Sequence, residues 1–310
     1  MILAIDIGGT EVKLGLVDRA GTIHARHRAR VDFDGYETPI LTTVLKEARA
    51  FVDRENAEIE GVGASVAGQI DTETGVIIGT NGRIPNYEGS RVKEALEAEF
   101  AVPAAALNDA NAAALGECFI GRGRGMENVL MVTLGTGVGG GIVLDGKIFG
   151  GARGIAGELG HFTLYQDGER CTCGKNGCYE CYASASALVR RAERETGETG
   201  LDGRIIFDRA QAGDPAMQRV LGAWIDDIAA GITGLVHIFN PEIVLIGGGV
   251  SAREALLIEP LRRKVLFGAM PRFGENLILQ RAALANDAGL VGAARFFMDR
   301  NQIKKESDAK

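Results

Sequence analysis

One short pattern occurs twice in this chain, and such a duplication constrains the fold more than any single stretch does. Ile2 to Ile7 reads as a buried strand that leads through Gly8-Gly9-Thr10 into a second apolar run, Val12 to Val17, closed by Asp18-Arg19-Ala20-Gly21. Strand, glycine turn, strand specifies a hairpin, because residues tolerant of unusual φ angles let a chain reverse within a few positions. Far downstream, Val129 to Leu134 enters Gly135-Thr136-Gly137-Val138-Gly139-Gly140-Gly141, then Ile142 to Leu144 and the turn Asp145-Gly146. Both turns join adjacent glycines to a threonine, so one supersecondary unit is expected twice.

Helices and strands alternate through the rest of each half. Leu41, Val44, Leu45, Ala48, Phe51 and Val52 share one helical face, Gly61 to Val66 reads as a strand, and Val92 to Phe100 and Ala110 to Ile120 read as helices. Later, a stripe from Val220 to Phe239 predicts a long helix, and Ile243 to Ile246 predicts a strand ending in Gly247-Gly248-Gly249. Leu277 to Gln280 reads as a strand and Leu290 to Met298 as a final helix. Each half is therefore expected to be a mixed sheet that begins with a hairpin and is flanked by helices, an α/β layered domain. The expected boundaries are a small N-terminal domain at 1–109 and a large domain at 110–287, with a helix at about 288–302 packing back on the first. The charged residues after about 302 are expected to fray.

The glycine turns point to phosphate. Gly135-x-Gly137-x-x-Gly140 matches the dinucleotide-binding pattern, but that fingerprint must lead into a helix, and here the turn leads into Ile142-Val143-Leu144. No Gly-Lys-Ser/Thr ending makes a Walker-type loop. Successive backbone N–H groups in a glycine turn still form a concave nest for an anion. Two such turns, one from each domain, would face each other across a cleft. Thr10 and Thr136 could add hydroxyl contacts, Asp6 could hold Mg²⁺ directly or through water, and Gly247 begins a third glycine cluster.

Four of the five cysteines fall in Cys171-Thr172-Cys173-Gly174-Lys175-Asn176-Gly177-Cys178-Tyr179-Glu180-Cys181, with His161 upstream. Cys-x-Cys, two glycines that turn the chain, a further Cys and a His can surround one tetrahedral ion, and thiolate with imidazole suits zinc. His161, Cys171, Cys173 and Cys178 are the expected ligands, with Cys181 as a spare. Four protein ligands leave no open position, so the site is expected to be structural, and a metal-dependent hydrolase would require one of them to yield to water. Met1-Ile2-Leu3-Ala4-Ile5-Asp6 reaches an acid too soon for a signal peptide. Clustered thiols without a secretion signal read as metal ligands in a reducing cytoplasm rather than as disulfides.

Composition narrows the partners. A net charge of −7 without a basic cluster disfavours nucleic acid, which requires concentrated positive surface. No apolar run is expected to reach the roughly 20 residues of a membrane helix. Ala106-Leu107-Asn108-Asp109-Ala110-Asn111 joins a short apolar segment to a helix. Either Asn108 or Asp109 caps that helix, or a carboxylate at an interdomain cleft accepts the proton of an attacking hydroxyl.

Together, Asp6-Ile7-Gly8-Gly9-Thr10, Leu107-Asn108-Asp109-Ala110-Asn111, the run Leu134 to Gly141, Gly157-Glu158-Leu159-Gly160-His161 and Cys171-x-Cys173-Gly174-x-x-Gly177-Cys178-x-Glu180 resemble the motifs of the ROK family. That family groups repressors, uncharacterised open reading frames and sugar kinases. The motifs follow in family order across almost the whole chain. The resemblance implies a two-domain actin/hexokinase-like (ribonuclease H-like) fold with duplicated mixed sheets, and ATP-dependent phosphorylation of a hexose-type sugar, as in a glucokinase. By position it implies Asp109 as the general base, with Asn108, Glu158, His161 and Glu180 on the sugar's other hydroxyls and Gly68 and Thr80 lining the same pocket. Asp6, Gly8, Gly9, Thr10, Thr136 and Gly137 would handle the ATP phosphates and Mg²⁺, and Gly247, Gly248 and Gly249 would lie near the adenosine. His161 would serve both zinc and sugar, one ring nitrogen each. A homodimer is implied as well.

The chain departs from the family in two places. Thr80 to Gly89 stands where many members carry an Asn-Leu-Pro-x-Trp-like stretch, with Arg83, Asn86 and Tyr87 offering different pocket chemistry, and Ala67-Gly68-Gln69 replaces the usual Pro-Gly-x. Glucose, N-acetylmannosamine, N-acetylglucosamine and β-glucosides all stay open as acceptors. Repressor members carry a helix-turn-helix before the first domain, and a chain entering its Asp6 loop at once is expected to have no room for one.

Overall fold

The computed structural model describes residues 1–80 and 84–303. The expected frayed end falls on residues 304–310 and the expected pocket role of Arg83 on residues 81–83, which lie outside the described residues. In chain order the elements are β1 (Ile2–Ile7), β2 (Glu11–Val17), β3 (Ile23–Arg30), α1 (Ile40–Glu55), β4 (Gly61–Val66), β5 (Gln69–Asp71), β6 (Val76–Gly79), α2 (Val92–Phe100), β7 (Ala104–Asn108) and α3 (Asp109–Phe119). There follow β8 (Val129–Leu134), β9 (Val138–Leu144), β10 (Lys147–Ile148), α4 (Glu180–Ala183), α5 (Ala185–Thr196), α6 (Gly203–Gln211) and α7 (Pro215–Phe239). The last are β11 (Ile243–Gly247), α8 (Glu259–Gly268), α9 (Pro271–Gly274), β12 (Ile278–Arg281) and α10 (Ala288–Arg300). They form two compact units, one of Met1–Arg124, Lys147–Ala156 and the segment from Asn286, the other of Gly125–Gly146 and Gly157–Ala285.

The duplication is explicit in the sheets. One has the order β3-β2-β1-β4-β7 and the other β10-β9-β8-β11-β12. In each, an antiparallel hairpin (β1 with β2, β8 with β9) is extended by two parallel strands. All six residues of β4 and all five of β11 are buried, the reason both read as unbroken apolar or small runs. The fold is thus the mixed α/β duplication that the repeated hairpin predicts.

In the first unit α1 buries Ile40, Val44, Ala48, Phe51 and Val52, a spacing of three and four that keeps one face on the core. Strand β3 was not evident in sequence. Its exposed His24, Arg26, Arg28 and Arg30 alternate with half-buried residues, so it has little apolar signal, and charge suits an edge strand that must not pair with another chain. Helix α10 lies against α3 and β4 through small residues. A Cβ on Gly292 would stand 1.7 Å from the Ala112 carbonyl oxygen, and one on Gly63 would stand 2.2 Å from that of Ala293. Gly292→Ala is therefore expected to cost about 1–3 kcal/mol, because a backbone carbonyl cannot rotate away. Gly222→Ala on α7, where a Cβ meets nothing within 4 Å, should be neutral or stabilise by up to about 1 kcal/mol. Urea unfolding of the two variants checks this, and equal midpoints would refute the packing assignment.

The second unit is built around α7. Asp214 caps it, accepting hydrogen bonds from the Ala216 and Met217 N–H groups, and Asn240 ends it in the left-handed conformation at φ 44°. By length and composition α7 is long and apolar enough to cross a membrane, but Asp226 and Asp227 interrupt its apolar run and 56% of that stretch is buried within the protein. Its face of Trp224, Ile225, Ile228, Ile232 and Leu235 lies in the core, and the Trp224 indole N–H donates to the Ser184 carbonyl at 3.0 Å. A correction concerns Gly139-Gly140-Gly141, expected in the turn but found within β9. At Gly140 the role is close packing: a Cβ there would lie 2.2 Å from Leu159 Cγ.

Candidate functional site

In the first unit β1, β4 and β7 are parallel, so their carboxyl ends share one edge, where open α/β sheets present ligands. At that edge β1 runs into Gly8-Gly9-Thr10, closed by the Gly8 N–H donating to the Glu11 carbonyl at 3.0 Å, with Thr10 exposed. Asp6 faces Lys13 across the hairpin and Ser65 on β4. Lys13 Nζ lies 3.1 Å from one carboxylate oxygen, and Ser65 Oγ donates to the other at 2.7 Å. Each oxygen keeps a further lone pair. Gly289 of α10 covers the group so closely that a Cβ there would be 2.9 Å from Asp6 Cγ. Lys13, Ser65 and Gly289 were missed in sequence; the register Asp6↔Lys13 follows from the hairpin alone and was the available signal for the first.

Gly68 follows β4 with φ +95°, and a Cβ there would meet the Gly79 carbonyl oxygen at 2.7 Å, next to buried Thr80. At the end of β7, Asn108 caps α3. Its Oδ1 accepts from the Ala110 and Asn111 N–H groups at 3.0 and 3.2 Å, and its Nδ2 donates to the Gly68 carbonyl at 3.0 Å. Capping is thus the task of Asn108, while Asp109 is the first helical residue and exposed, its Oδ1 accepting from the Ala110 N–H at 2.8 Å. The positive end of the α3 dipole favours a carboxylate there.

In the second unit Gly135-Thr136-Gly137 joins β8 to β9, closed by the Gly135 N–H donating to the Gly137 carbonyl at 3.0 Å, with Thr136 exposed. Gly247 ends β11, which runs parallel to β8 with Gly247 opposite Thr133. Gly248 leaves at φ +86°, and a Cβ there would stand 2.0 Å from the Leu134 carbonyl oxygen, so only glycine passes. Both glycine clusters thus open at the carboxyl edge of two neighbouring parallel strands, with Gly249 starting the short helical turn beyond. Glu180, 8% exposed, accepts from the Val138 N–H at 3.1 Å beside the same turn. Glu158 precedes a helical turn of Leu159–His161, and one of its oxygens lies 3.9 Å from His161 Nε2.

One ligand atom from each of His161, Cys171, Cys173 and Cys178 lies within 4.8 Å of the others. Cys171 Sγ is 3.6 Å from His161 Nδ1, and Cys173 Sγ is 3.6 Å from Cys178 Sγ. Donors about 2.0–2.3 Å from a tetrahedral centre stand roughly 3.4–3.8 Å apart, so the set fits zinc and is far too wide for a disulfide. Gly174 and Gly177, at φ +89° and +74°, turn the chain between the ligands. Burial works against the Cys171 thiolate, yet hydrogen bonds from Cys173, Cys178 and His161 outweigh it and hold its pKa down to about 7. Burial and the neighbouring thiols push Cys178 up to about 12. A dication held among them would favour the thiolates that this crowding disfavours. Cys181 is buried in the same cluster but is not one of the four. Nδ1 faces the metal donors, so Nε2 is the His161 nitrogen turned toward Glu158.

The ROK family model matches residues 2–300. The chain is 34% identical to a glucokinase of Thermotoga maritima, over 96% of this chain and 98% of that one. It is 33% identical to a β-glucoside kinase of Listeria innocua, over 96% and 97% of the respective chains. Its structure superposes with a TM-score of 0.81 on a ROK family glucokinase from Streptomyces griseus solved with glucose and AMPPNP, at 31% identity over 95% of this chain and 98% of that one. With the family's motifs carried on this duplicated frame from end to end, the chain belongs to the ROK family.

Proposed function

We propose that this protein is an ATP-dependent sugar kinase that converts ATP and a hexose, glucose foremost, to ADP and hexose 6-phosphate. The observation that carries this reading is the exposed Asp109 carboxylate at the first position of α3, on the same sheet edge as the Gly8–Thr10 turn. Its role is to accept the proton of the sugar hydroxyl as that oxygen attacks the γ-phosphorus and the bond to the departing ADP breaks. By their place in the family's motifs, Asn108, Gly68, Thr80, Glu158, His161 and Glu180 are the residues that bind the sugar and its hydroxyls. Gly9 and Thr10, with Thr136 and Gly137, hold the phosphates through backbone N–H groups and hydroxyls, Gly8 closes the turn that presents them, Asp6 acts through the cation, and Gly247, Gly248 and Gly249 flank the adenosine. Mg²⁺, when bound near Asp6, supplies charge neutralisation at the phosphates. Zinc, when bound, fixes the loop that carries His161.

One relative, at 33% identity, is named a β-glucoside kinase, and one solved structure, at 31%, is named only as a candidate N-acetylmannosamine kinase, so those sugars are the alternative acceptors. The family resemblance further supports a cytoplasmic homodimer whose partners are sugar and nucleotide, with neither nucleic acid nor membrane. A coupled ADP-release assay over hexoses, N-acetylhexosamines and glucosides tests the reading. Sugar-dependent ADP release with glucose is expected, and silence over the whole panel with Mg²⁺ and ATP would overturn it.

A further inference from the structure

We infer that the phenolic hydroxyl of Tyr87 is a hydrogen-bonding group for the bound sugar, making Tyr87 a specificity-determining residue at the Asp109 edge. The inference rests on the sugar-kinase reading above. Tyr87 is 1% exposed, its ring packed in the core of the first unit with Val66, Ile70 and Ile84. Yet its hydroxyl has no hydrogen-bond partner among the described residues. Buried polar groups are paired in more than about 90% of cases, so an unpaired one calls for an explanation. Only Asp34 Oδ1 and Asn111 Oδ1 share this condition among the described residues, and Asn111 sits two positions after Asp109 on the first turn of α3.

The loop that carries Tyr87 is tied to this edge. Ser90 N–H donates to the Tyr87 carbonyl, and Gly89 N–H donates to Ile77 on β6. The same strand ends at Gly79, whose carbonyl lies against Gly68, the glycine that accepts from Asn108. Burial, and then the negative charge of Asp109, push the Tyr87 hydroxyl upward in pKa. It therefore remains a proton donor throughout the working range. A buried donor with no acceptor suits a polyhydroxylated ligand, which brings acceptor oxygens to several neighbouring positions at once. The core packing of the ring and the need of the hydroxyl for a partner are separable, because Phe preserves the first and deletes the second.

Tyr87→Phe tests this with D-glucose and its 2-, 3- and 4-deoxy analogues. The expected result is a KM for glucose raised about tenfold with kcat kept within about twofold, the pattern of lost binding rather than lost chemistry. One deoxy analogue should then be used equally well by wild type and variant, which identifies the contacted hydroxyl. The melting temperature should stay the same or rise, since an unpaired buried hydroxyl has been removed. An unchanged glucose KM with an unchanged deoxy profile would overturn the inference, as would a lower melting temperature with no change in KM. Calorimetric glucose binding without nucleotide separates the two readings. If wild type binds glucose about tenfold more tightly than the variant but never turns it over, the kinase assignment fails and the Tyr87 assignment stands. If wild type binds none of these sugars, both fail.

Discussion

Asp109→Asn is expected to lower kcat by about 1000-fold, within the range of about 100- to 10,000-fold that a positioned general base contributes. Asn has the shape of Asp and keeps an acceptor oxygen for the Ala110 N–H, but it cannot take a proton at neutral pH. The fold should be indifferent to the change, because α3 is capped by Asn108, which accepts from two backbone N–H groups. Sugar affinity should stay within a few-fold of wild type. Asn108→Ala serves as the contrast. It removes the cap, at about 1 kcal/mol of stability, and strips the Gly68 carbonyl of its donor, so both the unfolding midpoint and sugar binding should suffer. A kcat near normal in Asp109→Asn, measured by coupled ADP release, would remove Asp109 from the general-base role.

Disrupting the Cys₃His cluster should produce the largest change in stability. Cys178→Ser, or stripping with a chelator, is expected to remove one zinc per chain. The loss should be about 3–5 kcal/mol, or roughly 10 °C in melting temperature, since the binding energy of a structural metal is folding energy. The damage should reach the sugar as well. His161 presents Nε2 toward Glu158 only while Nδ1 is held among the cysteines, so a rise in sugar KM should accompany the loss of metal. Cys118→Ser is the control, because Cys118 lies on α3 outside the cluster and should leave metal content unaltered. Elemental analysis and thermal unfolding give the answer together. A metal-free protein with unaltered melting temperature and sugar KM would show that the loop needs no metal.

How much of this was legible in sequence depended on whether the determining interaction was local. The hairpin of β1 and β2, the strands β4 and β11, and the helices α1 and α7 announce themselves through apolar runs or a helical stripe, because their burial is dictated by their own residues. The gathering of the three cysteines was equally legible, since Cys171, Cys173 and Cys178 lie within eight positions and the chain must turn at Gly174 and Gly177. Elements that borrow their burial from neighbours were not. Strand β3 shows mainly charge, and α5 buries only Ala187, Leu188 and Ala192, too few apolar positions to stand out. The role of Gly139-Gly140-Gly141 was misread because glycine marks a turn and a close approach alike, and only the Leu159 side chain against Gly140 distinguishes them. Lys13 and Ser65 became visible as partners of Asp6 once strand register was known, and Gly289 once α10 was seen to cover that carboxylate. The unpaired hydroxyl of Tyr87 cannot be read from sequence at all, for it exists only as a mismatch between burial and hydrogen bonding.

The most direct measurement of the proposed activity is phosphorus NMR of the protein incubated with Mg·ATP and D-glucose. The expected spectrum gains one phosphomonoester resonance in step with ADP, and neither appears when sugar is withheld. Inorganic phosphate growing in place of the phosphomonoester, or ATP left intact with every hexose and hexosamine supplied, would contradict the sugar-kinase assignment.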